Sequence, residues 1–259
     1  MTNTMLVRDV MSKAVTVAKS APVTEALDKM LDVGQDPLIV LHRDEVVGTV
    51  SRQKIVEKLG ARHSSEVAPT AIHVSNTIDD EFTIVYEDQE LDILIPLLQN
   101  QAKLAVVYNI ENQLVGQVSY DDLLGKMIPD GDLPSVMVRY HAIEAGERLV
   151  HLRRKMVDEK VARYVVMADN EMTGLVSETD VAVALTKFRE SVEDRHQEHQ
   201  IRNILVRDIM SSPAMSVESK TPLPDVVSRM LQKNIGSIPV TENGKVIGIV
   251  TRESLIQAL

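Results

Sequence analysis

The chain has 259 residues, of which 44% are hydrophobic and 25% charged, with a net charge of −10 and no cysteine. These values are typical of a soluble globular protein, and they exclude disulfides, thiolate metal sites and a cysteine nucleophile. The acidic balance argues against a surface that coats nucleic acid phosphates. Because no apolar run reaches the length of a membrane span and the N-terminus lacks a signal pattern, we expect a cytoplasmic protein.

The main feature of the sequence is a fourfold internal repeat. The segment "LVRDVM" from Leu6 recurs as "LVRDIM" from Leu205, and further copies place a glycine at the same point of each repeat, at Gly48, Gly116, Gly174 and Gly248. We assign the repeats to residues 1–59, 60–130, 131–187 and 205–259, joined by an exposed connecting helix over 188–204. The turn cluster "IPDGDLP" predicts a boundary between the two halves near Gly131.

In chain order, each repeat predicts a strand, a helix, two strands and a second helix. The first repeat begins with a strand at 15–17, and its helix has apolar residues at helical spacing, such as Ala26, Leu27 and Met30. In the second repeat, Pro96 predicts a helix that kinks or starts late. The predicted fold class is therefore α+β, with β-α-β-β-α repeats that must pair because one repeat is too small to hold a core alone.

The fourth repeat carries the clearest turn signals. Thr221 and Pro222 predict a helix with a cap followed by proline at its first position. Asn243 and Gly244 are suited to a tight hairpin between the second and third strands.

These repeats resemble the cystathionine-beta-synthase (CBS) domain family. The resemblance is carried by the two "LVRD" openings, by "IGSIPVTENGKVIGIVT" from Ile235 and by the Gly-apolar-apolar-Ser/Thr-x-x-Asp frame at the end of each repeat. It covers nearly the whole chain and is weakest in the second repeat. Four copies resemble two Bateman modules, as in the gamma subunit of AMP-activated protein kinase and in stand-alone archaeal CBS proteins.

The resemblance implies a flat disc, monomeric or homodimeric, that binds adenine nucleotides in clefts between paired repeats and senses energy state. Such a protein is regulatory and not an enzyme. Its ligand is AMP, ADP or ATP, it has no cofactor, and it transmits occupancy to an unidentified protein partner.

The frames read "GTVSRQK", "GQVSYDD", "GLVSETD" and "GIVTRES", so their last residues are Lys54, Asp122, Asp180 and Ser254. The glycine permits close approach of a ligand or backbone, Ser or Thr suits a helix N-cap, and a carboxylate can accept two hydrogen bonds from a ribose diol. Asp122 and Asp180 are the predicted ribose binders. The alternative is a local capping box, in which the acid only caps its own helix.

The resemblance also implies the partners of each aspartate. The predicted Asp122 cleft contains Ser119, Arg8, Ala14, Val15 and Pro37. The predicted Asp180 cleft contains Ser177, Arg207, Ala214, Met215, Gly236 and Ser237. Lys103 and Arg163, which the sequence places at the start of second strands, are expected to face a central phosphate cavity.

Each of these cations has an alternative role. Arg8 and Arg207 could form ion pairs with neighbouring aspartates or be solvated, and Lys103 and Arg163 could protect a strand edge. In strict register Arg163 matches Pro37 and Ser237, whereas Lys103 falls two residues early and requires a longer hairpin in its repeat.

Two other classes of function make different demands on the sequence. A nucleic-acid-binding regulator would use a basic patch formed by Arg139, Arg148, Arg153, Arg154 and Lys155. An enzyme would need a nucleophile or a metal set, and the sequence shows neither. His196 and His199 have helical spacing but no third ligand, so no metal site is predicted.

Overall fold

The computed structural model describes residues 5–59, 69–80, 82–100, 102–191 and 203–259. Within these residues each repeat forms a three-stranded sheet whose strands follow chain order. The second and third strands of every sheet are antiparallel, and in the last three repeats the first and second strands are parallel. A helix makes each parallel crossover, as such connections require. The predicted α+β class is confirmed.

The first repeat follows the predicted order of elements. Its elements are β1 (Thr16–Ala18), α1 (Val23–Val33), β2 (Leu38–His42), β3 (Glu45–Val50) and α2 (Arg52–Leu59). Helix α1 buries Ala26, Leu27 and Met30, the residues whose spacing predicted it. It ends at Gly34, which adopts the left-handed conformation that favours glycine (φ 70°). Strand β1 begins one residue later than predicted.

The second repeat has a late first helix. Its elements are β4 (Phe82–Tyr86), α3 (Leu94–Asn100), β5 (Leu104–Tyr108), β6 (Leu114–Ser119) and α4 (Tyr120–Leu124). A 3-10 turn over Leu91–Ile93 replaces the first turn of the helix. Pro96 is the third residue of α3, where its missing N–H removes no helical hydrogen bond. The predicted late start is confirmed.

The third repeat is preceded by a short helix, α5 (Leu133–Val136). Its elements are β7 (Ala142–Glu144), α6 (Leu149–Glu159), β8 (Arg163–Ala168), β9 (Glu171–Ser177) and α7 (Glu178–Ser191). Residues 188–191 of the predicted connecting helix are thus the end of α7. The rest of that prediction, apart from residues 203–204, lies outside the described residues.

The fourth repeat comprises β10 (Val217–Glu218), α8 (Leu223–Gln232), β11 (Ser237–Glu242), β12 (Lys245–Thr251) and α9 (Arg252–Gln257). Asn243 and Gly244 both have positive φ, 50° and 77°, and form the predicted tight hairpin. The prediction for α8 is wrong by one position. Pro222 is the N-cap with an extended ψ of 134°, so the helix begins at Leu223.

The chain forms two compact units that are not its two halves. The first unit comprises Met1–Thr16, Asp80–Arg139 and Ser216–Leu259, and the second comprises Val17–Asp79 and Tyr140–Met215. The first unit thus holds the second and fourth repeats, and the second holds the first and third. The boundary between the two halves near Gly131 stays a prediction, since the compact units group the repeats differently and divide the chain after Arg139.

Each unit has an apolar interior built from helices of both its repeats. In the first unit, α9 packs on α3 and α4, and one continuous core includes Leu94, Leu123 and Leu255. In the second unit, α2 packs on α7, with Ile55 and Val181 fully buried. Burying one such side chain stabilises a fold by about 1.5–3 kcal/mol.

The segments that lead into the repeats, here called leading segments, pair with third strands beside the frame glycines. Ser12 exchanges two backbone hydrogen bonds with Gln117, at 2.9 and 3.0 Å, and Ser211 does the same with Leu175. A Cβ atom on Gly116 would lie 2.8 Å from the Ser12 carbonyl oxygen, and one on Gly174 would lie 2.8 Å from that of Ser211. Close backbone approach therefore requires glycine at both positions.

We expect Gly174→Ala to destabilise the protein by about 1–3 kcal/mol, because the added methyl group would overlap the carbonyl oxygen of a paired segment. Urea unfolding measures the loss. Gly146→Ala is the matched control, since a Cβ atom there meets nothing within 4 Å, and it should change the unfolding free energy by less than about 0.5 kcal/mol. Equal effects of the two substitutions would contradict the close approach.

Candidate functional site

The first candidate site is centred on Asp122 at the start of α4. Ser119 is the N-cap of this helix. The Asp122 Oδ2 atom accepts hydrogen bonds from the backbone N and from Oγ of Ser119, both at 2.7 Å. The capping box weighed as the local alternative is therefore present. It also holds the carboxylate in one orientation through one of its two oxygens.

The leading segment of the first repeat completes this site. Ser12 Oγ donates to Asp122 Oδ2 at 3.1 Å. The backbone N of Val15 donates to Gln117 Oε1 at 2.9 Å. The structure thus places Val15, and Ala14 beside it, next to the strand that leads to Asp122, and their part in a nucleotide site stays a prediction.

Ser12 and Gln117 are residues that the sequence analysis missed. Ser12 could have been found, because it aligns with Ser211 in the two "LVRD" openings. Gln117 follows the frame glycine, where the third and fourth repeats have Leu175 and Ile249. A buried glutamine at that point signals a specific polar contact, since buried amides are rarely left without hydrogen bonds.

The second candidate site is centred on Asp180 at the start of α7. Its Oδ2 atom accepts from the backbone N and from Oγ of Ser177, both at 2.7 Å, which repeats the geometry at Asp122. Burial raises the pKa of the Asp180 carboxyl, and the hydrogen bonds from Ser177 oppose that rise. The carboxyl thus lies in a partly desolvated place, where the hydrogen bonds from Ser177 favour its charged form.

The leading segment of the fourth repeat lies beside β9, the strand that leads into the helix of Asp180. Leu175 pairs with Ser211, and Ser212 Oγ donates to the Thr173 carbonyl at 2.8 Å. Arg207, Ala214 and Met215 belong to this segment and to the same compact unit as Asp180.

Three of the predicted site residues lie in a different compact unit from the aspartate to which they were assigned. Pro37 lies in the second unit, whereas Asp122 lies in the first. Gly236 and Ser237 lie in the first unit, whereas Asp180 lies in the second. Their place in the two sites stays a prediction.

Arg8 and Arg207 occupy equivalent exposed positions in two 3-10 turns. Their neighbours Asp9 and Asp208 accept backbone hydrogen bonds from Leu6 and Leu205, both at 2.8 Å. Each turn is therefore closed by its own aspartate. These carboxylates bond to a backbone N–H of their own turn and not to the neighbouring arginine. The two guanidinium groups are exposed to solvent.

Arg163 lies where the sequence placed it, whereas Lys103 does not. Arg163 begins β8 and pairs across the sheet with Ser177, which caps the helix of Asp180. In the second repeat the position opposite Ser119 is taken by Leu104, and Lys103 precedes β5 by one residue. The hairpin of this repeat is longer, as required, but by one residue only, so Lys103 remains one position early.

The other two frames retain the cap and lack an aspartate. Lys54 Nζ lies 3.8 Å from Glu57 Oε2. Ser254 is buried, and its Oγ donates to the Thr251 carbonyl at 3.0 Å. Opposite Gly48, the leading segment supplies Asp79, whose Oδ1 accepts from Thr49 Oγ1 at 2.7 Å. The acid at this frame therefore comes from the leading segment.

Asp121, the acid next to Asp122, has a different role. Its Oδ1 atom lies 2.6 Å from Nε of Arg252 within the first unit. Burial raises the pKa of Asp121, Arg252 lowers it, and the charge of Asp122 raises it. This ion pair joins α4 to α9, the second helices of two repeats.

The features that would support other functions are weak. The described residues contain no group of three or more side chains suited to a metal ion, and His196 and His199 lie outside them. Four of the five basic-patch residues, all but Arg139, lie on α6 or at its cap, where Arg154 pairs with Asp158 at 3.3 Å. No helix in the described part of the chain is long and apolar enough to cross a bilayer.

The CBS domain model matches residues 7–61, 134–187 and 206–259. These ranges make up more than half of the chain, so the protein belongs to the CBS domain family. The matched ranges do not include the second repeat, whose opening departs most from the pattern, although that repeat has the same order of strands and helices.

Archaeal proteins resemble the chain over almost its full length. MJ1225 of Methanocaldococcus jannaschii is 22% identical over 265 residues, 95% of both chains. Its crystal structure aligns with a TM-score of 0.80 at 21% identity, covering 98% of this chain and 99% of MJ1225. A structure from Pyrococcus horikoshii aligns with a TM-score of 0.63 at 18% identity, covering 98% of this chain and 99% of that one.

A longer relative, MJ1404 of the same methanogen, is 23% identical over 97% of this chain. The chain spans only 61% of MJ1404. The likeness to the two solved structures shows the fold.

We expect Asp180→Asn to gain stability relative to the parent as pH rises above 3.8, the ordinary pKa of the group. Because the pKa in the folded state is raised, the folded protein binds more protons between the two pKa values, and the stability of the parent falls through that window. The variant keeps an acceptor for Ser177. Urea unfolding from about pH 3 to pH 7 measures the difference.

Glu147→Gln is the control of opposite sign. A hydrogen bond from His151 is the main cause that lowers the pKa of Glu147 below 4.5. This variant should lose stability relative to the parent as pH rises towards that value. If the difference in unfolding free energy between Asp180→Asn and the parent does not change with pH, burial does not raise the pKa of Asp180.

Proposed function

We propose that this protein is a non-catalytic regulatory protein that binds AMP, ADP or ATP at Asp122 and at Asp180. The observation that carries the proposal is the repeated geometry. In both places a capped carboxylate lies at the end of a third strand, beside the leading segment of another repeat, with Oδ2 bonded at 2.7 Å to the capping serine.

The chemistry of these carboxylates suits a ribose. The capping box engages Oδ2, which leaves Oδ1 to accept from a diol, and hydrogen bonds to an ionised acceptor are the strong ones. Partial burial strengthens such bonds, because water competes less well for the carboxylate. Lys54 has donors only, and Ser254 carries no charge, so neither can replace an aspartate in this role.

The cations support a ligand with phosphate groups. The net charge of the chain is −10, so an anionic ligand requires positive groups placed locally. Arg163 lies opposite Ser177, and Arg207 is exposed on the leading segment of the Asp180 site. Arg8 holds the equivalent place at the Asp122 site. Arginine suits phosphate because its planar guanidinium donates two parallel hydrogen bonds.

Family membership supports a regulatory role. The structure of MJ1225 was presented as that of a candidate archaeal homologue of g-AMPK. Here a nucleotide would bridge a third strand and a leading segment and so favour one arrangement of the two. A protein partner that binds this arrangement better would then sense occupancy, since a ligand shifts a conformational equilibrium only through unequal affinity.

We expect calorimetry with AMP, ADP and ATP to show two binding sites in the parent protein. Asp122→Ala and Asp180→Ala should each abolish one site or weaken it about 10- to 100-fold, because each removes charged hydrogen bonds worth about 1.5–3 kcal/mol. The double variant should show neither site.

Ser254→Ala and Lys54→Ala are the matched controls in the same frame, and both should keep two sites. If the double variant binds all three nucleotides as tightly as the parent protein does, the proposal is refuted. Hydrolysis of the nucleotide would indicate an enzyme. A salt-sensitive shift of RNA or DNA on a gel would favour the nucleic-acid alternative.

A further inference from the structure

The two aspartate sites differ at one buried residue, the one that follows the frame glycine. Gln117 holds this position at the Asp122 site and Leu175 holds it at the Asp180 site. Both residues pair through their backbones with equivalent serines, Ser12 and Ser211, so the positions correspond in space as well as in sequence. Gln117 is 1% exposed, so its amide must find its hydrogen bonds inside the protein.

Gln117 satisfies this need with the backbone donor of the leading segment. Its Oε1 atom accepts from the N–H of Val15 at 2.9 Å. Met215 is the counterpart of Val15 in the fourth repeat, and the aliphatic side chain of Leu175 offers its N–H no acceptor. Met215 is also exposed, with 45% of its surface accessible. Within the described part of the chain, this backbone donor is therefore engaged at the first site and makes no hydrogen bond at the second.

The aspartate carboxylate also has more hydrogen bonds within the protein at the Asp122 site than at the Asp180 site. Ser12 Oγ donates to Asp122 Oδ2 at 3.1 Å, in addition to the two bonds from Ser119. At the second site the counterpart of Ser12 is Ser211, and among the described residues the Asp180 carboxylate accepts hydrogen bonds from Ser177 only. The Asp122 site is therefore bonded internally at both ends, through Gln117 and through Ser12.

We infer that Gln117 occupies the backbone donor that the leading segment offers at the Asp122 site, the N–H of Val15, so that nucleotide binds first at Asp180 and only at higher concentration at Asp122. The inference rests on the proposed function. A ligand that needs the Val15 N–H must first break its bond to Gln117, whereas the Met215 N–H has no such bond to Leu175. A net hydrogen bond contributes about 0.5–1.5 kcal/mol, which corresponds to about a 2- to 10-fold difference in affinity.

The two positions allow a reciprocal exchange. In an Asp180→Ala background, which isolates the Asp122 site, Gln117→Leu should tighten AMP binding about 2- to 10-fold. In an Asp122→Ala background, Leu175→Gln should weaken AMP binding by a similar factor. Gln117→Met is a second variant of similar volume, in case leucine disturbs folding. Thermal melts identify any variant that does not fold.

A measurement without nucleotide tests the structural premise separately. Amide hydrogen exchange in the ligand-free protein should be slow at Val15 and fast at Met215. Gln117→Leu should accelerate exchange at Val15, and Leu175→Gln should slow it at Met215. Equal exchange at the two amides in the parent protein would overturn the inference whatever the nucleotide data show.

The outcomes separate this inference from the proposed function. If AMP binds the parent at two sites and Gln117→Leu leaves its affinity unchanged or weakens it, Gln117 does not compete with the ligand and the inference is wrong. If the parent binds no adenine nucleotide while the exchange rates follow the predicted order, the proposed function fails, and the ordering of the two sites fails with it.

Discussion

The structure depends on one interaction that occurs four times: a leading segment pairs through its backbone with the third strand of a different repeat. The pairing closes directly beside a glycine, because any larger residue would meet a carbonyl oxygen or a methionine side chain of the leading segment. A sheet of three short strands cannot bury its own apolar surface. The leading segments and the helices of a second repeat therefore complete each core, and no repeat is an independent domain.

The same pairing determines where chemistry can occur. The frame serine and aspartate form a capping box, which by itself needs no ligand. The leading segment brings the Ser12 hydroxyl to the Asp122 carboxylate and the Val15 N–H to Gln117. An exposed arginine lies near the start of each of the two "LVRD" segments. The structural and functional interpretations of the frame are therefore compatible: the cap fixes one oxygen of the carboxylate, and a ligand would use the other.

Repetition of the frame does not make the four sites equal. Lys54 and Ser254 remove the carboxylate, and Asp79 places an acid on the leading segment opposite Gly48. The two aspartate sites differ less from each other. The position after the frame glycine holds an amide, Gln117, at one site and an aliphatic side chain, Leu175, at the other. One frame, repeated four times, therefore presents four different sets of side chains.

The sequence by itself determined the repeats, the order of strands and helices, the late start of α3, the hairpin at Asn243-Gly244 and the identity of the two aspartate frames. These features depend on the spacing of apolar residues and on the backbone preferences of glycine, proline and asparagine, both of which can be read from residues close together in the chain. Only the tertiary structure decided that the compact units are not the two halves, that Lys103 lies one position off the strand register, and that Ser12 and Gln117 contact the first site. The contacts of Ser12 and Gln117 join residues about a hundred positions apart, and the place of Lys103 follows from the pairing of Leu104 with Ser119 across a hairpin. No local pattern encodes either.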